Sequence, residues 1–268
     1  MKTSVLISLL LLALSCGKSD DEQLQQHSQI IRMQTVENLN LILKNANTLE
    51  VEVMYEAGAE PYTDKSFRQQ HYFAFLEMNI AAIYQTRGRN VALTVPKELS
   101  QMSLLPIFNK DSWTISEIKQ TIETSSKKSS SASHAVIKVL FVKGHFKDDE
   151  GIKDRVIGIN ITGTPYIVIF KDVVENMGTR TDDKTAKFSE QSTLIHEFGH
   201  VIGLVNNGVA QVVDHQDKDH GAHCKNTDCV MNWKNEGSTE MINYIQNYFS
   251  SGNEVMFGSQ CLDDVKKF

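Results

Sequence analysis

Residues 196–200, His-Glu-Phe-Gly-His, constrain the fold of this chain more than any other part of its sequence. Two histidines four residues apart lie on the same face of an α-helix, one above the other. Both imidazoles can then bind one metal ion, while the carboxylate of Glu197 lies beside them. The sequence therefore predicts a helix that carries two metal ligands and an acidic side chain within reach of the same ion.

The residues around this segment also indicate a helix. Ser189 is predicted to cap its start, and Gly203 to end it, because glycine accepts the left-handed conformation that follows a helix. His196 and His200 lie off the apolar stripe, toward a cleft. The stripe itself has helical spacing and consists of Leu194, Ile195, Phe198, Val201 and Ile202.

H-E-x-x-H on a helix is typical of zinc metalloproteases, in which the histidines bind zinc and the glutamate is the general base. Such a zinc ion has three protein ligands and one open position for water, whose pKa it lowers to about 7. We therefore expect a zinc-dependent endopeptidase that acts on peptide or protein substrates. Glu197 would take the proton of the attacking water and pass it to the leaving amine.

The third zinc ligand is less direct to assign. Residues 196–204 resemble the start of the metzincin signature, H-E-x-x-H-x-x-G-x-x-H followed by a Met-turn. Asn206 stands where that signature has its third histidine, and a neutral amide is a poor zinc ligand. The third ligand must therefore come from another part of the chain.

A second resemblance supplies a candidate. The pattern His-Cys-x4-Cys-x-Met at residues 223–231 resembles the archaemetzincin branch of the metzincins, in which the third ligand directly precedes the first cysteine. If residues 205–219 are looped out, the resemblance implies that His223 is the third ligand. It also implies that Met231 is the Met-turn methionine beneath the metal. Loop-closure entropy permits such an insertion, since each doubling of loop length costs only about 0.6 kcal/mol.

Other ligands remain open at this point. His220 and His215 are alternatives to His223, and in a gluzincin the third ligand would be a downstream glutamate such as Glu236 or Glu240. Three aspartates in the same stretch are candidates to orient a ligand imidazole through its other ring nitrogen, as carboxylates commonly do: Asp214, Asp217 and Asp219.

The N-terminus is typical of an exported protein. Residues 1–15 have a charged start, a short apolar run and small residues at the end, which predicts a signal peptide too short to span a bilayer. Residues 13–16, Ala-Leu-Ser-Cys, resemble a bacterial lipobox, which implies lipidation of Cys16. The alternative is an ordinary signal peptide with an incidental cysteine. We expect a lipoprotein anchored to the membrane of the cell envelope, at the outer membrane or cell surface.

Charge and composition limit the partners. The formal net charge of -6 provides no basic surface, so we expect no nucleic-acid partner. After the signal peptide no apolar stretch is long enough to span a bilayer, so the lipid would be the membrane anchor. The sequence does not indicate the oligomeric state.

Three cysteines follow Cys16. Cys224 and Cys229 enclose four residues and could form a disulfide, while Cys261 is either unpaired or joined to one of them. Archaemetzincins have a later C-x-x-C that completes a second, structural zinc site. This chain has only Cys261 there, so we expect one zinc ion, the catalytic one.

The order of predicted elements indicates an α/β (α+β) fold that resembles the metzincin layout. We expect a mixed twisted sheet with packed helices above the active-site helix, and a smaller lower part with the Met-turn and a C-terminal helix. The predicted division is a signal peptide at 1–15, a lipidated tether and N-terminal helix at 16–48, and a metalloprotease domain at 49–268. That domain has an upper part at 49–203 and a lower part at 204–268.

Individual elements follow from periodicity. The alternation at residues 49–55 predicts a half-buried strand. Residues 158–161 or 166–170 are candidates for an edge strand that pairs with extended substrate. Further strands are predicted at 91–95 and 135–142, and helices at 28–46, 66–86 and 113–124. Residues 17–27 are predicted to be a polar tether.

The rival interpretation is a non-catalytic envelope lipoprotein that binds metal for structure or storage. Glu197 distinguishes the two, because a storage site has no need for a base between two ligands.

Overall fold

The computed structural model describes residues 20–66, 69–178, 183–235 and 254–268. The predicted signal peptide at 1–15, Cys16, and the alternative ligands Glu236 and Glu240 lie outside these residues, so those points stay predictions. None of the helices in the described part of the chain is long and apolar enough to span a bilayer.

The described elements alternate between strands and helices. The strands are β1 (Thr48–Glu56), β2 (Ala92–Thr94), β3 (Ser103–Leu105), β4 (Ser112–Trp113), β5 (His134–Val142), β6 (His145–Asp148), β7 (Gly151–Lys153), β8 (Gly158–Asn160), β9 (Tyr166–Phe170), β10 (Gln216–Asp217) and β11 (His223–Cys224). The α-helices are α1 (Asp20–Asn40), α2 (Phe73–Thr86), α3 (Ile115–Ser125), α4 (Lys171–Glu175), α5 (Lys184–Val201) and α6 (Ser259–Lys267). A π-helical turn, Leu41–Asn45, continues α1, and 3₁₀ turns lie at Leu99–Gln101 and Trp233–Asn235.

The main sheet has six strands in the order β2-β1-β5-β9-β8, with β3 also paired to β1. Strands β1, β2, β3, β5 and β9 run parallel, and β8 pairs antiparallel with β9 at the edge. A small sheet joins β4, β6 and β7, and β10 and β11 form an antiparallel pair. The mixed sheet with packed helices confirms the predicted α/β fold class.

The central strands are more deeply buried than alternation predicted. The strand predicted at 49–55 is present as β1, but the prediction that it is half-buried is wrong, because β1 is covered on both faces over most of its length. Parallel strands in the middle of a sheet are normally covered by helices on each side. Glu52 is buried there as well, and its carboxylate accepts hydrogen bonds from the Ser126 hydroxyl (2.6 Å) and the Lys127 N–H (2.7 Å).

Several helix starts differ from the prediction. Helix α1 begins at Asp20, within the stretch predicted as a tether, and α2 begins at Phe73 instead of residue 66. Helix α3 begins after Trp113, which belongs to β4. Its capping box explains this start: Glu117 accepts a hydrogen bond from the Thr114 N–H (2.9 Å), and the Thr114 hydroxyl accepts one from the Glu117 N–H (3.4 Å).

Helix α5 carries the His-Glu-Phe-Gly-His segment and packs on β8, β9, α2 and α4. It begins at Lys184, after Asp183, so the prediction that Ser189 caps it is wrong: Ser189 is buried inside the helix. The helix ends at Val201, and Gly203 has the predicted left-handed conformation, with φ of +73°.

A buried ion pair anchors the first half of α5. Lys171 Nζ of α4 lies 2.6 Å from Glu190 Oε2, and the Tyr62 N–H donates to Glu190 Oε1 at 2.8 Å. Burial raises the pKa of Glu190, and the attraction of Lys171 only partly offsets that effect. Burial also raises the pKa of Tyr62, to about 12. These long-range contacts bury polar residues near Glu190 inside α5. The sequence pattern had placed the start of the helix there, at Ser189.

Candidate metal centre

Three histidines meet where α5 approaches β11. His196 and His200 lie on α5, and His223 is the first residue of β11. A ring nitrogen from each lies within 4.8 Å of those of the other two. The Nε2 atoms of His196 and His200 are 3.0 Å apart. The structure therefore brings the three predicted ligands together, and we refer to them as the histidine cluster.

Two backbone carbonyls fix the tautomers of two of these histidines. His196 Nδ1 lies 2.7 Å from the Val230 carbonyl oxygen, and His223 Nδ1 lies 2.5 Å from the His220 carbonyl oxygen. A carbonyl oxygen only accepts, so each Nδ1 must donate its proton, which leaves the lone pair on Nε2. Imidazole lone pairs that converge in this way suit a zinc ion. The residues present thus fit the metal that the sequence implies.

Glu197 lies in the same cleft as the histidine cluster. Its side chain is buried, and together with His200 and His223 it lines a cavity of about 300 Å³. The other lining residues come from β8, from the loop after it and from the segments that flank β10 and β11: Gly158, Ile159, Asn160, Thr162, Asn207 and Ala222. An acidic side chain and two of the three histidines thus line one cavity, and His196 lies buried behind them.

Met231 lies beneath this helix turn, at the predicted Met-turn position. A Cβ atom added at Gly199 would overlap the Met231 sulfur and lie 3.1 Å from the ring of Phe257. The Met231 carbonyl accepts a hydrogen bond from the Cys224 N–H at 2.7 Å, which connects the turn to β11. Gly199 is therefore required by close packing against the methionine, a constraint that the sequence motif alone does not express.

His220 lies outside the cluster. Its ring stacks on Trp233, with centroids 4.0 Å apart and planes at 6°, and its Nδ1 lies 2.8 Å from Asp217 Oδ2. The neighbouring Asp214 pairs with Lys218 at 3.2 Å. His220 therefore faces an aromatic surface, and two of the three candidate orienting aspartates interact with other side chains.

His215 and Asn206 also lie elsewhere. His215 is buried between Cys224 Sγ, 3.2 Å from its Nδ1, and Asp264 Oδ2, 2.7 Å from its Nε2. The exposed Asn206 donates to Gln216 at 3.3 Å. Of the three histidines considered as third ligand, only His223 therefore shares a site with the α5 pair.

The cysteines of the described residues are thiols, so the suggested disulfide between Cys224 and Cys229 is not formed. Hydrogen bonds from Cys229 and Cys261 lower the pKa of the Cys224 thiol, since they stabilise its thiolate. The same bonds raise the pKa values of Cys229 and Cys261, which act as the donors.

The edge of the main sheet borders the cleft. Of the two candidate edge strands, Tyr166–Phe170 is internal, paired on both sides, and Gly158–Asn160 is the edge strand. Within the described residues no strand pairs with its outer edge. Asn160 and Thr162 line both the cleft and a larger groove of about 830 Å³ between α1 and α3. This groove could not be predicted from the sequence, because it depends on where α1 packs.

Comparison with known proteins finds similarity among solved structures. No family model matches the chain, and no curated protein matches it. Among solved structures, it is similar to a zinc-dependent peptidase from Methanocorpusculum labreanum (strain Z), with 11% sequence identity and a TM-score of 0.44. The similarity covers 80% of this chain and 99% of that one. At this level of similarity, the function has to be inferred from the site itself.

Proposed function

We propose that this protein is a zinc-dependent peptidase whose active site is the histidine cluster with Glu197. One observation carries the proposal: the ring nitrogens of His196, His200 and His223 converge beside a cavity that Glu197 lines together with His200 and His223. Three histidine ligands leave a fourth position of a tetrahedral zinc ion for water, as in catalytic sites.

The side chains divide the chemistry between them. When bound, zinc would supply the positive charge that acidifies a water molecule and polarises the scissile carbonyl group. The carbonyls of Val230 and His220 hold two imidazoles with Nε2 available as the ligand atom. Glu197 would accept the proton of the attacking water on its carboxylate and deliver it to the leaving amine.

The surroundings favour an endopeptidase. The outer edge of β8 offers backbone groups with which an extended peptide can pair as an added strand. The groove between α1 and α3 shares Asn160 and Thr162 with the cleft, so a bound chain can continue past the cleft along this surface. The groove also offers apolar side chains such as Ile31 and Ile115 beside the charged Lys119. A continuous path of this kind suits internal cleavage of a longer chain.

The test is Glu197→Gln, which removes the base and keeps the size of the side chain. We expect peptide cleavage to fall by about 10²–10⁴-fold, the usual contribution of general acid–base catalysis, while zinc content and thermal stability are kept. Glu150→Gln is the matched control, because this side chain is 82% exposed in a surface ion pair with Lys153.

Cleavage at the wild-type rate by Glu197→Gln would contradict the proposed mechanism. If the wild-type protein, fully loaded with zinc, cleaves no unfolded protein substrate, the alternative of a non-catalytic metal-binding protein is favoured instead.

We propose further that the enzyme is anchored to the cell envelope through a lipid on Cys16. The support is the lipobox-like sequence at 13–16 that follows an apolar run. Cys16→Ser should move the protein from the membrane fraction to the soluble envelope fraction, because lipid is the expected anchor. A variant that still sediments with membranes would contradict the lipid anchor without affecting the assignment of the active site.

A further inference from the structure

Four metal-ligating side chains meet at a second place, away from the cleft. His215 Nδ1 lies 3.2 Å from Cys224 Sγ, and Cys229 Sγ lies 3.6 Å from Cys261 Sγ. The ligand atoms of His215, Cys224 and Cys261 all lie within 4.8 Å of one another, and Cys229 joins the group through its contact with Cys261. Each of the four residues is at most 1% exposed. We refer to them as the cysteine cluster.

Neighbouring groups orient these ligand atoms. His215 Nε2 donates to Asp264 Oδ2 at 2.7 Å, which leaves the lone pair of Nδ1 directed at the cysteines. The other oxygen of Asp264 accepts the Val212 N–H at 2.7 Å, so this buried carboxylate is fixed in place. The Gly258 N–H donates to Cys229 Sγ at 3.1 Å. A carboxylate behind a ligand histidine is a recurring feature of zinc sites.

We propose that the cysteine cluster is a second, structural zinc site of the type Cys₃His, with Cys224, Cys229, Cys261 and His215 as ligands. Thiolate and imidazole are the ligands of structural zinc, and these sites are closed to solvent. Two sulfurs on one tetrahedral zinc ion lie about 3.8 Å apart, close to the separation found here. A disulfide, by contrast, requires sulfurs only about 2 Å apart.

The proposed site would add a second zinc ion to the single one expected from the sequence. That expectation depended on the missing second C-x-x-C pair, but His215 supplies the fourth ligand from a point earlier in the chain. The inference stands on the four side chains and does not depend on the proposed peptidase activity.

The second ion would connect segments that are distant in sequence. It would join the start of β10, the segment from Cys224 to Cys229, and helix α6 through Cys261. His223 directly precedes Cys224, and Val230, whose carbonyl binds His196 Nδ1, directly follows Cys229. Zinc in the cysteine cluster therefore holds in place both the third ligand of the cleft and the carbonyl that orients another. We expect its loss to weaken zinc binding in the histidine cluster.

Zinc stoichiometry on the full chain tests the proposal. We expect two zinc ions per chain in the wild type and one in the double variant H196A/H200A, which retains the cysteine cluster. Cys261→Ser should lose the second ion and weaken zinc binding at the cleft by about 10–100-fold, the range seen when groups that support a ligand are removed. His220→Ala is the matched control, since this histidine lies in the same segment but outside both clusters.

Two measurements keep the test decisive if Cys261→Ser does not fold. Cobalt substituted into H196A/H200A should give a thiolate-to-cobalt charge-transfer band, which the histidine cluster cannot produce. In the wild type, alkylation of the three thiols should be slow with zinc bound and fast after treatment with a strong chelator.

Three results would overturn the second site. One is a wild type with a single zinc ion that H196A/H200A loses entirely. Another is cobalt-loaded H196A/H200A without a thiolate band. The third is a disulfide between any two of these cysteines in the natively isolated protein.

Discussion

The two metal-ligand clusters differ in access to solvent. The histidine cluster opens on a cleft, and His200 is only partly buried there. The cysteine cluster has no residue more than 1% exposed. Structural zinc sites are closed by four protein ligands, whereas catalytic sites keep one position open. Residues 215–231 contribute ligands to both clusters, so the two proposed zinc sites share one short segment of the chain.

The two clusters also differ in the groups that accept hydrogen bonds from their ligand histidines. In the histidine cluster, neutral backbone carbonyls of Val230 and His220 orient the imidazoles. In the cysteine cluster, the carboxylate of Asp264 orients His215. A carboxylate makes a ligand imidazole more basic and strengthens metal binding. We therefore expect zinc to be bound more tightly in the cysteine cluster than in the histidine cluster.

The largest loss of zinc affinity should come from His223, the ligand of the histidine cluster that directly precedes Cys224. His223→Ala should reduce zinc affinity at the cleft by more than about 100-fold, which exceeds the usual effect of removing a supporting group, and should abolish peptide cleavage. His220→Ala keeps the backbone carbonyl that orients His223 and should retain zinc. Zinc titration of each folded variant is the measurement, and tight stoichiometric binding by His223→Ala would exclude it as a ligand.

An intermediate loss of zinc affinity is expected when Asp264, which orients His215 in the cysteine cluster, is changed. Asp264→Asn should direct an N–H group at His215 Nε2, which would move the imidazole proton to Nδ1 and block the ligand atom. We expect zinc affinity to fall by about 10–100-fold. Competition with a colorimetric chelator in the H196A/H200A background isolates this cluster, and the exposed neighbour Asp263→Asn is the control. Equal affinities in both variants would show that His215 is not a ligand.

The smallest effect, a change in stability, should come from the packing of Met231 beneath the histidine cluster. Gly199→Ala adds a methyl group where Met231 and Phe257 leave no room, so the free energy of unfolding should fall by about 1–3 kcal/mol. Adding Met231→Ala should relieve the overlap, so the double variant should lose less stability than the sum of the single variants. Thermal unfolding with saturating zinc measures this. Strict additivity would mean that the two residues do not contact each other.

Most of the histidine cluster was predictable from the sequence, because two of its ligands and Glu197 lie within one helical turn. Helical spacing placed His196, Glu197 and His200 on one helix, and Gly203 marked its end. The position of His223 followed from a sequence resemblance that includes Cys224 and Met231, not from periodicity. What the sequence could not provide was the orientation of the rings, which depends on carbonyl groups brought close by folding.

The cysteine cluster and the start of α5 were not predictable, because both depend on residues that are distant in the sequence. His215 belongs to the cysteine cluster because folding brings it to Cys224 and Cys261, where Asp264, 49 positions later, orients its ring. Ser189 was a plausible cap from local rules, but the Lys171–Glu190 ion pair keeps this part of the helix in the core. Long-range contacts of this kind leave no periodic signal in the sequence.

The difference between the clusters can be measured in one experiment. In a chelator titration, zinc per chain, the reactivity of the three cysteine thiols and peptide cleavage are followed on the same samples. We predict that cleavage disappears as the first zinc ion leaves, while the thiols stay protected, and that one equivalent of zinc restores it. Cleavage that persists after the histidine cluster has lost its zinc would contradict the assignment of that cluster as the active site.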